Sequence, residues 1–286
     1  MRKIILVLLA VLLIFTGCGN PSEPAPITSE PASITSEPEQ TPSDGEQILS
    51  KLEQIKAAGK LTVFTNAEFP PFEYMEGNEI IGVDIEIAKA IAVEIGVELE
   101  MVNANFDGIV ASIASGRGDL GISGFTITDD RKKEVDFSVP YVDSVQYMII
   151  PDGSDLAVLE DFEGKSVGAQ LGTTGEMLVQ EEIDEGVLMD KKTEVKPYQS
   201  APLAMADLAI GRIAAVVIDE LVAINLAREK PGYLAIPLVY KSGAPFTEQF
   251  GVALKKGQDD LLDVVNRVVS DMVNRGIIEQ LIEQYS

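Results

Sequence analysis

Leu61-Thr62-Val63-Phe64-Thr65 is a short apolar and β-branched run, and Val97-Glu98-Leu99-Glu100-Met101-Val102 alternates apolar with polar side chains. Between them, beyond a Pro-rich loop, Val83, Ile87, Ile91 and Ile95 recur at helical spacing until Gly96 stops them. Strand, helix and strand in this order are the unit of an α/β protein. The order continues outward, with a helix expected near Asp107 to Ser115, a strand near Leu120 to Ser123 and a helix starting near Asp129. Such alternation predicts a largely parallel sheet.

The same grammar then restarts. Gly59-Lys60 introduces the first strand, and Gly164-Lys165 introduces another, Ser166 to Ala169, followed by a Gly-rich loop and a helical stretch from Glu176 to Ile183. Gly116-Arg117 closes a helix before the strand at Leu120; Gly211-Arg212 closes the helix Ala201 to Ile210 before the strand Ile213 to Ile218. These echoes predict two similarly built lobes. Beyond Asp219 a further helix is expected, then a Pro- and Gly-containing stretch from Pro231 to Pro245, a strand Phe250 to Leu254, and helices Asp260 to Arg275 and Ile277 to Gln284. The longer helix places Leu261, Val264, Val265, Val268 and Met272 on one face, which is read as core packing.

At the other end, Arg2 and Lys3 precede an apolar run from Ile4 to Phe15 that closes on Thr16-Gly17-Cys18-Gly19. The run is shorter than the ~20 apolar residues of a spanning helix and reads as a secretory signal. Gly19 to about Gln47 is rich in Pro, Ser, Thr and Glu and repeats Thr-Ser-Glu-Pro at Thr28 and Thr35. Such a segment buries too little apolar surface to offset its ordering entropy, so it reads as a semi-extended tether.

Composition excludes several function classes. The net charge is -24, with no basic cluster, which argues against a nucleic-acid partner. Histidine is absent and Cys18 is the sole cysteine, so zinc sites of the usual kind, Ser-His-Asp triads and Cys-His dyads are ruled out.

Several motifs together carry a resemblance. Thr65-Asn66-Ala67-Glu68-Phe69-Pro70-Pro71-Phe72-Glu73-Tyr74 and Gly82-Val83-Asp84 resemble the opening of solute-binding family 3, the bacterial amino-acid-binding proteins of importers. Gly124-Phe125-Thr126-Ile127-Thr128-Asp129-Asp130-Arg131 with Val135-Asp136-Phe137-Ser138 is similar to that family's central signature. Gly164-Lys165 through Gly172-Thr173-Thr174-Gly175 is similar to its second-lobe loop. The similarity runs from about residue 48 to the end. It implies an α/β, two-lobed periplasmic-binding-protein-like fold of type II, each lobe a mostly parallel sheet flanked by helices. The chain would cross between lobes near Tyr141 to Val145 and near Phe246 to Phe250. Lobe one would be 48–142 plus 249–286, and lobe two 143–248. Residues 1–17 would be a signal peptide. Cys18 resembles the lipidated cysteine of a lipobox, although Phe15 stands where leucine is commoner, and 18–47 would be the lipidated residue with its linker.

The candidate site follows. Arg131 offers a planar fork of donors suited to a carboxylate, Thr126 adds a hydroxyl, and the backbone around Ser123 and Gly124 leaves room for close approach. Lys132 and Lys133 beside Arg131 read as a solvated face. In Gln170-Leu171-Gly172-Thr173-Thr174-Gly175, a strand-to-helix loop, free N–H groups and the helix dipole suit an anion, and Thr173 would grip the carboxylate from the second lobe. Asp219, at a strand's carboxyl end, is the expected partner of the ligand's α-ammonium by the resemblance; the alternative is a helix N-cap. Phe69 and Phe106 correspond to aromatic walls. Asn66 replaces an aspartate common in relatives. Should Glu68 face the cleft, a cationic ligand (arginine, lysine or ornithine) is favoured; should it face solvent, Asn66 and Gln170 suit a neutral amide such as glutamine.

The resemblance therefore implies a receptor, not an enzyme, that traps a free L-amino acid by hinge closure and delivers it to an ABC-type permease. It would be exported, anchored to the membrane through lipid on Cys18, and monomeric, without cofactor or metal. The alternative is a cyclohexadienyl-dehydratase-like enzyme on the same fold, with Glu68 as general acid.

Overall fold

In the computed structural model the described residues are 49–286; the signal-like run, Cys18 and residues 19–47 of the expected linker lie outside them. The described chain begins with α1 (Lys51–Ala58), held by a capping box in which Ser50 accepts from the Glu53 backbone and Glu53 reaches back to Ser50. After β1 (Lys60–Thr65) the Pro-rich loop folds into a small antiparallel sheet of β2 (Glu68–Phe69), β3 (Glu73–Glu76) and β4 (Glu79–Ile81). Then come α2 (Val83–Ile95), β5 (Glu98–Asn103), a 3-10 turn (Phe106–Gly108), α3 (Ile109–Ala114), β6 (Leu120–Gly121), α4 (Asp129–Glu134) and β7 (Val135–Phe137). The long strand β8 (Val142–Pro151) leads into β9 (Ser166–Gln170), α5 (Thr174–Asp184), β10 (Glu194–Tyr198), α6 (Ala201–Ala209), β11 (Val216–Asp219), α7 (Glu220–Glu229) and β12 (Tyr233–Pro237). The chain returns through β13 (Thr247–Phe250), β14 (Ala253–Lys255), α8 (Asp259–Asn274) and α9 (Ile277–Tyr285).

Beside the small sheet stand two larger ones with the same internal order. The first runs β5-β1-β6-β14-β7 and the second β10-β9-β11-β8-β12. In each, three parallel strands (β5, β1, β6; β10, β9, β11) meet one antiparallel strand, β14 or β8, that is followed by an edge strand. The echo of Gly-Lys and Gly-Arg pairs in the sequence is the trace of this repeated topology. The sheets are joined where Val142–Val145 of β8 pairs antiparallel with Thr247–Phe250 of β13, so both crossings lie side by side.

Apolar faces hold the layers together. Ile87, Ile91 and Ile95 of α2 and Leu261, Val265 and Val269 of α8 are buried against Leu61, Val63 and Leu120 of the first sheet. Each fully buried Leu or Ile contributes about 1.5–3 kcal/mol, so α8 acts as core, as its apolar face predicts. Met148, Val167, Val217 and Phe162 build a second cluster on the other sheet.

Local differences from the expected elements have physical causes. The single strand expected at Phe250 to Leu254 is two, β13 and β14, separated at Gly251-Val252 where the chain leaves the crossing and enters the first sheet. The strand expected from Ile213 starts only at Val216, and the stretch after Pro231 contains β12, an edge strand that tolerates Pro237. Among the described residues no helix is long and apolar enough to cross a membrane, and no cluster of acidic residues is arranged to hold a metal ion.

Candidate functional site

The loops leaving β1 and β6, with the start of α4, face the loop leaving β9 and the end of β11, so the carboxyl ends of parallel strands from both sheets converge. Asn66, Phe69, Phe106, Gly124, Thr126 and Arg131 come from one side; Gln170, Thr173, Thr174 and Asp219 come from the other; together they line one cavity. Glu68 stands exposed on β2 and does not line it. Ser123 lies behind the wall, fully buried.

The two sides touch. Gln170 Nε2 donates to Asn66 Oδ1 at 2.9 Å, Arg131 donates through Nη2 to the Gly172 carbonyl at 3.0 Å, and the hydroxyls of Thr126 and Thr174 meet at 3.3 Å. The cavity between them is about 10 Å³, close to the room one water molecule needs. A ligand larger than water therefore fits only when the facing loops stand further apart than they do here.

Arg131 is buried, 7% exposed, although it belongs to a basic run whose other members, Lys132 and Lys133, are exposed and pair with Asp129 and Asp130. Thr128 caps α4 by accepting from the Arg131 backbone, which turns this side chain inward. Its guanidinium sits 5.5 Å from the Phe106 ring centre and 5.4 Å from that of Phe125, two rings stacked at 4.9 Å. Its polar partners are the carbonyls of Thr126, at 2.8 Å, and Gly172. Among the described residues no ion pair reaches it. Burial pulls its pKa down, while Glu248 and Asp219 hold it up.

Asp219 is 5% exposed, and burial followed by the neighbouring Glu248 carboxylate pushes its pKa well above the usual range, with Arg131 opposing. It occupies the N-cap position of α7, yet its side chain makes no capping bond; it accepts from Gln146 Nε2 at 3.4 Å instead.

The β9–α5 loop differs from the expectation of free donors. Gly172 N–H donates to Glu176 Oε2 at 2.6 Å, and Thr173 N–H donates to the Gln170 carbonyl. The helix supplies its own anion, and the Thr173 hydroxyl, which caps α5, donates to the Gln170 carbonyl. Gly172 has φ 79°, and a Cβ there would stand 3.1 Å from Asp107 Cα across the cleft, so glycine permits the close approach of the two sides.

Behind the wall lies a buried acid pair that motif reading passed over. The Ser123 hydroxyl donates to Glu73 Oε1 at 2.7 Å and accepts from Asn66 N–H. Asp84 Oδ2 accepts from Gly124 N–H at 2.8 Å and Tyr141 OH at 3.0 Å. Burial, then Asp84, raises Glu73 well above its ordinary pKa, and burial raises Asp84 to about 6. Both carboxyls fix the signature loop from inside. Glu248 and Gln146 were likewise missed; only the fold brings β13 and β8 to the cleft.

A family model described as bacterial extracellular solute-binding proteins, family 3, matches residues 61–286. The chain belongs to this family. As a family 3 solute-binding protein it has relatives named as amino-acid-binding proteins. It is 34% identical over 236 residues to the L-cystine-binding protein TcyJ of Escherichia coli, covering 81% of this chain and 84% of the relative. It is 30% identical to the arginine-binding extracellular protein ArtP of Bacillus subtilis, covering 78% of this chain and 84% of that protein. Among solved structures it is similar to the substrate-binding protein AbpA of Streptococcus pneumoniae bound to L-arginine, with TM-score 0.74, 35% identity, and coverage of 81% of this chain and 96% of the other. The family 3 fold is the type II two-lobed fold expected from the sequence, and these relatives are binding proteins.

Proposed function

We propose that this solute-binding protein captures a free polar L-amino acid between two closing lobes, 48–142 plus 249–286 and 143–248, and delivers it to an ABC-type permease. The observation that carries the reading is Arg131: a buried cation without a carboxylate ion-pair partner among the described residues, set in one cavity with the buried carboxyl group of Asp219. A zwitterion completes both. Its α-carboxylate meets Arg131 and Thr126, its α-ammonium meets Asp219, and its side chain runs between Phe69 and Phe106 toward Asn66 and Gln170. No step requires a catalytic group, and Glu68, the acid that a dehydratase would use, is exposed. Delivery is from a monomer held at the membrane by lipid on Cys18, through the linker 18–47, after removal of residues 1–17.

With Glu68 outside the cavity, the side-chain end is lined by two amides, which suits a neutral amide side chain such as that of L-glutamine. L-arginine is a second reading, favoured by relatives named for arginine and by the Asn66 and Gln170 carbonyl oxygens as guanidinium acceptors. Thermal unfolding against the proteinogenic amino acids, ornithine and cystine tests the assignment, since a ligand that binds only the folded state raises the melting temperature. A shift with one or a few of them, absent in Arg131→Ala, is expected. No shift with any removes the amino-acid reading.

A further inference from the structure

Asp84 is the second residue of α2, fully buried, and one of its oxygens serves two distant parts of the chain. Oδ2 accepts from the Gly124 N–H at 2.8 Å and from the Tyr141 hydroxyl at 3.0 Å. Gly124 opens the signature loop and lines the cavity. Tyr141 stands one residue before β8, at the first crossing, and its N–H donates to the Phe250 carbonyl on the second crossing at 2.9 Å.

The rest of the signature loop is bonded to that second crossing as well. Ile127 N–H donates to the Gln249 carbonyl at 2.8 Å, Gly251 N–H donates to the Phe125 carbonyl at 2.9 Å, and the Thr126 hydroxyl donates to Glu248 at 2.9 Å. Thr126 and Phe250 form an antiparallel bridge. Loop, β13 and Tyr141 therefore make one hydrogen-bonded ribbon, and Asp84 holds two points of it from outside. The holder is itself fixed. Asp84 N–H donates to the Phe72 carbonyl at 2.9 Å, and α2 packs on the first sheet through Ile87 and Ile91. The Phe72 ring meets Phe250 edge-on at 5.2 Å, a second contact between this anchor and the ribbon. A buried oxygen shared by two donors cannot follow one of them without straining its bond to the other, because hydrogen bonds weaken steeply away from close, linear geometry.

We propose that Asp84 is a positioning residue for ligand capture: through Gly124 and Tyr141 it sets the signature loop and the crossing together, so that a ligand seated against the loop and the angle of the crossing bias one another. This rests on the reading of Arg131 and Thr126 as the carboxylate site and of the crossings as the hinge. Asp84 does not line the cavity, so its effect on a ligand passes through Gly124.

The test combines amide hydrogen exchange with calorimetric titration by L-glutamine and L-arginine, both on the whole protein. Tyr141→Phe removes one hydroxyl and keeps the ring against Phe250. In this variant the Gly124 amide is expected to exchange about two- to tenfold faster without ligand, and affinity for the amino acid that binds the wild type is expected to fall about threefold to tenfold. In an Asp84→Asn background the loss of the hydroxyl adds little to either effect, because the coupling runs through Asp84. Leu159→Ala, buried in the second cluster away from this network, is expected to lower stability and keep wild-type affinity, which separates positioning from general weakening. An unchanged Gly124 exchange rate in Tyr141→Phe overturns the proposal, as does wild-type affinity in that variant or an effect of equal size with and without Asp84. Should Asp84→Asn fail to fold, the first two readings still decide. Failure of the wild type to bind either probe, with no thermal shift from any other amino acid, overturns the receptor reading instead.

Discussion

Gln170, at the end of β9, donates through Nε2 to Oδ1 of Asn66 at the end of β1, 2.9 Å across the cleft. Asn66 is held in turn, donating to the Ala104 carbonyl at 3.0 Å, so its orientation is set within the first sheet before the second arrives. One side-chain pair thus registers the two sheets against each other.

Replacing Asn66 with alanine removes this link and leaves the Gln170 amide short of a partner. A cost of about 0.5–1.5 kcal/mol in the closed arrangement is expected, seen as a several-fold weaker ligand affinity and a larger radius of gyration in solution scattering. Unchanged affinity and dimensions would show that the pair does not hold the cleft closed.

Arg131→Lys keeps the charge but not the fork. Lysine cannot hold a carboxylate bidentately or stack over Phe106 and Phe125, so affinity should fall by about 1.5–3 kcal/mol, the worth of a lost hydrogen bond to a charged group. Circular dichroism should remain that of the wild type. Wild-type affinity in this variant would remove Arg131 from the carboxylate site.

Gly124 has φ 52°, and a Cβ there would come within 2.8 Å of Phe69 Cε1. Gly124→Ala therefore costs about 1–3 kcal/mol through strain and displacement of Phe69. Chemical denaturation measures the first, and loss of ligand-induced thermal shift the second.

Glu73 and Asp84 give a dependence on pH with a definite sign. Both are raised by burial, so the folded state binds more protons than the unfolded one. Their contribution is fully present below the unfolded carboxyl range, and the part owed to Asp84 is lost as pH rises from 3.8 through about 6. Glu73 carries its loss to higher pH. Glu73→Gln, uncharged and of the same size, should therefore be more stable than wild type at pH 8 by about 1–3 kcal/mol and closer to it near pH 4, by calorimetry. A difference that does not vary with pH would contradict this.

Much of the site was legible because its residues sit in contiguous motifs at strand ends: Asn66 and Phe69 after β1, Gly124 to Arg131 after β6, Gln170 to Thr174 after β9, Asp219 at the end of β11. Apolar periodicity located α2 and α8 for the same reason, since burial imposes it. What escaped depends on long-range pairing. β8 reads as a crossing, yet it pairs with β11, β12 and β13 at once, and this alone places Gln146 and Glu248 beside Asp219. The orientation of Glu68 was undecidable from sequence because alternation along a two-residue strand carries no register. α1 had a readable signal in Ser50 and Glu53, but its weak apolar face hid it.

α1 and α9 belong to the same layer. α1 is tied to α8 where Leu52 N–H donates to Asp260, and Tyr285 of α9 donates to Glu86 of α2. Under the proposed closure, tags or dyes attached near either of these helices ride together and stay silent. An optical reporter of ligand capture needs one label here, at exposed Lys56, and its mate on the far lobe, at the exposed turn of Asp190 and Lys192.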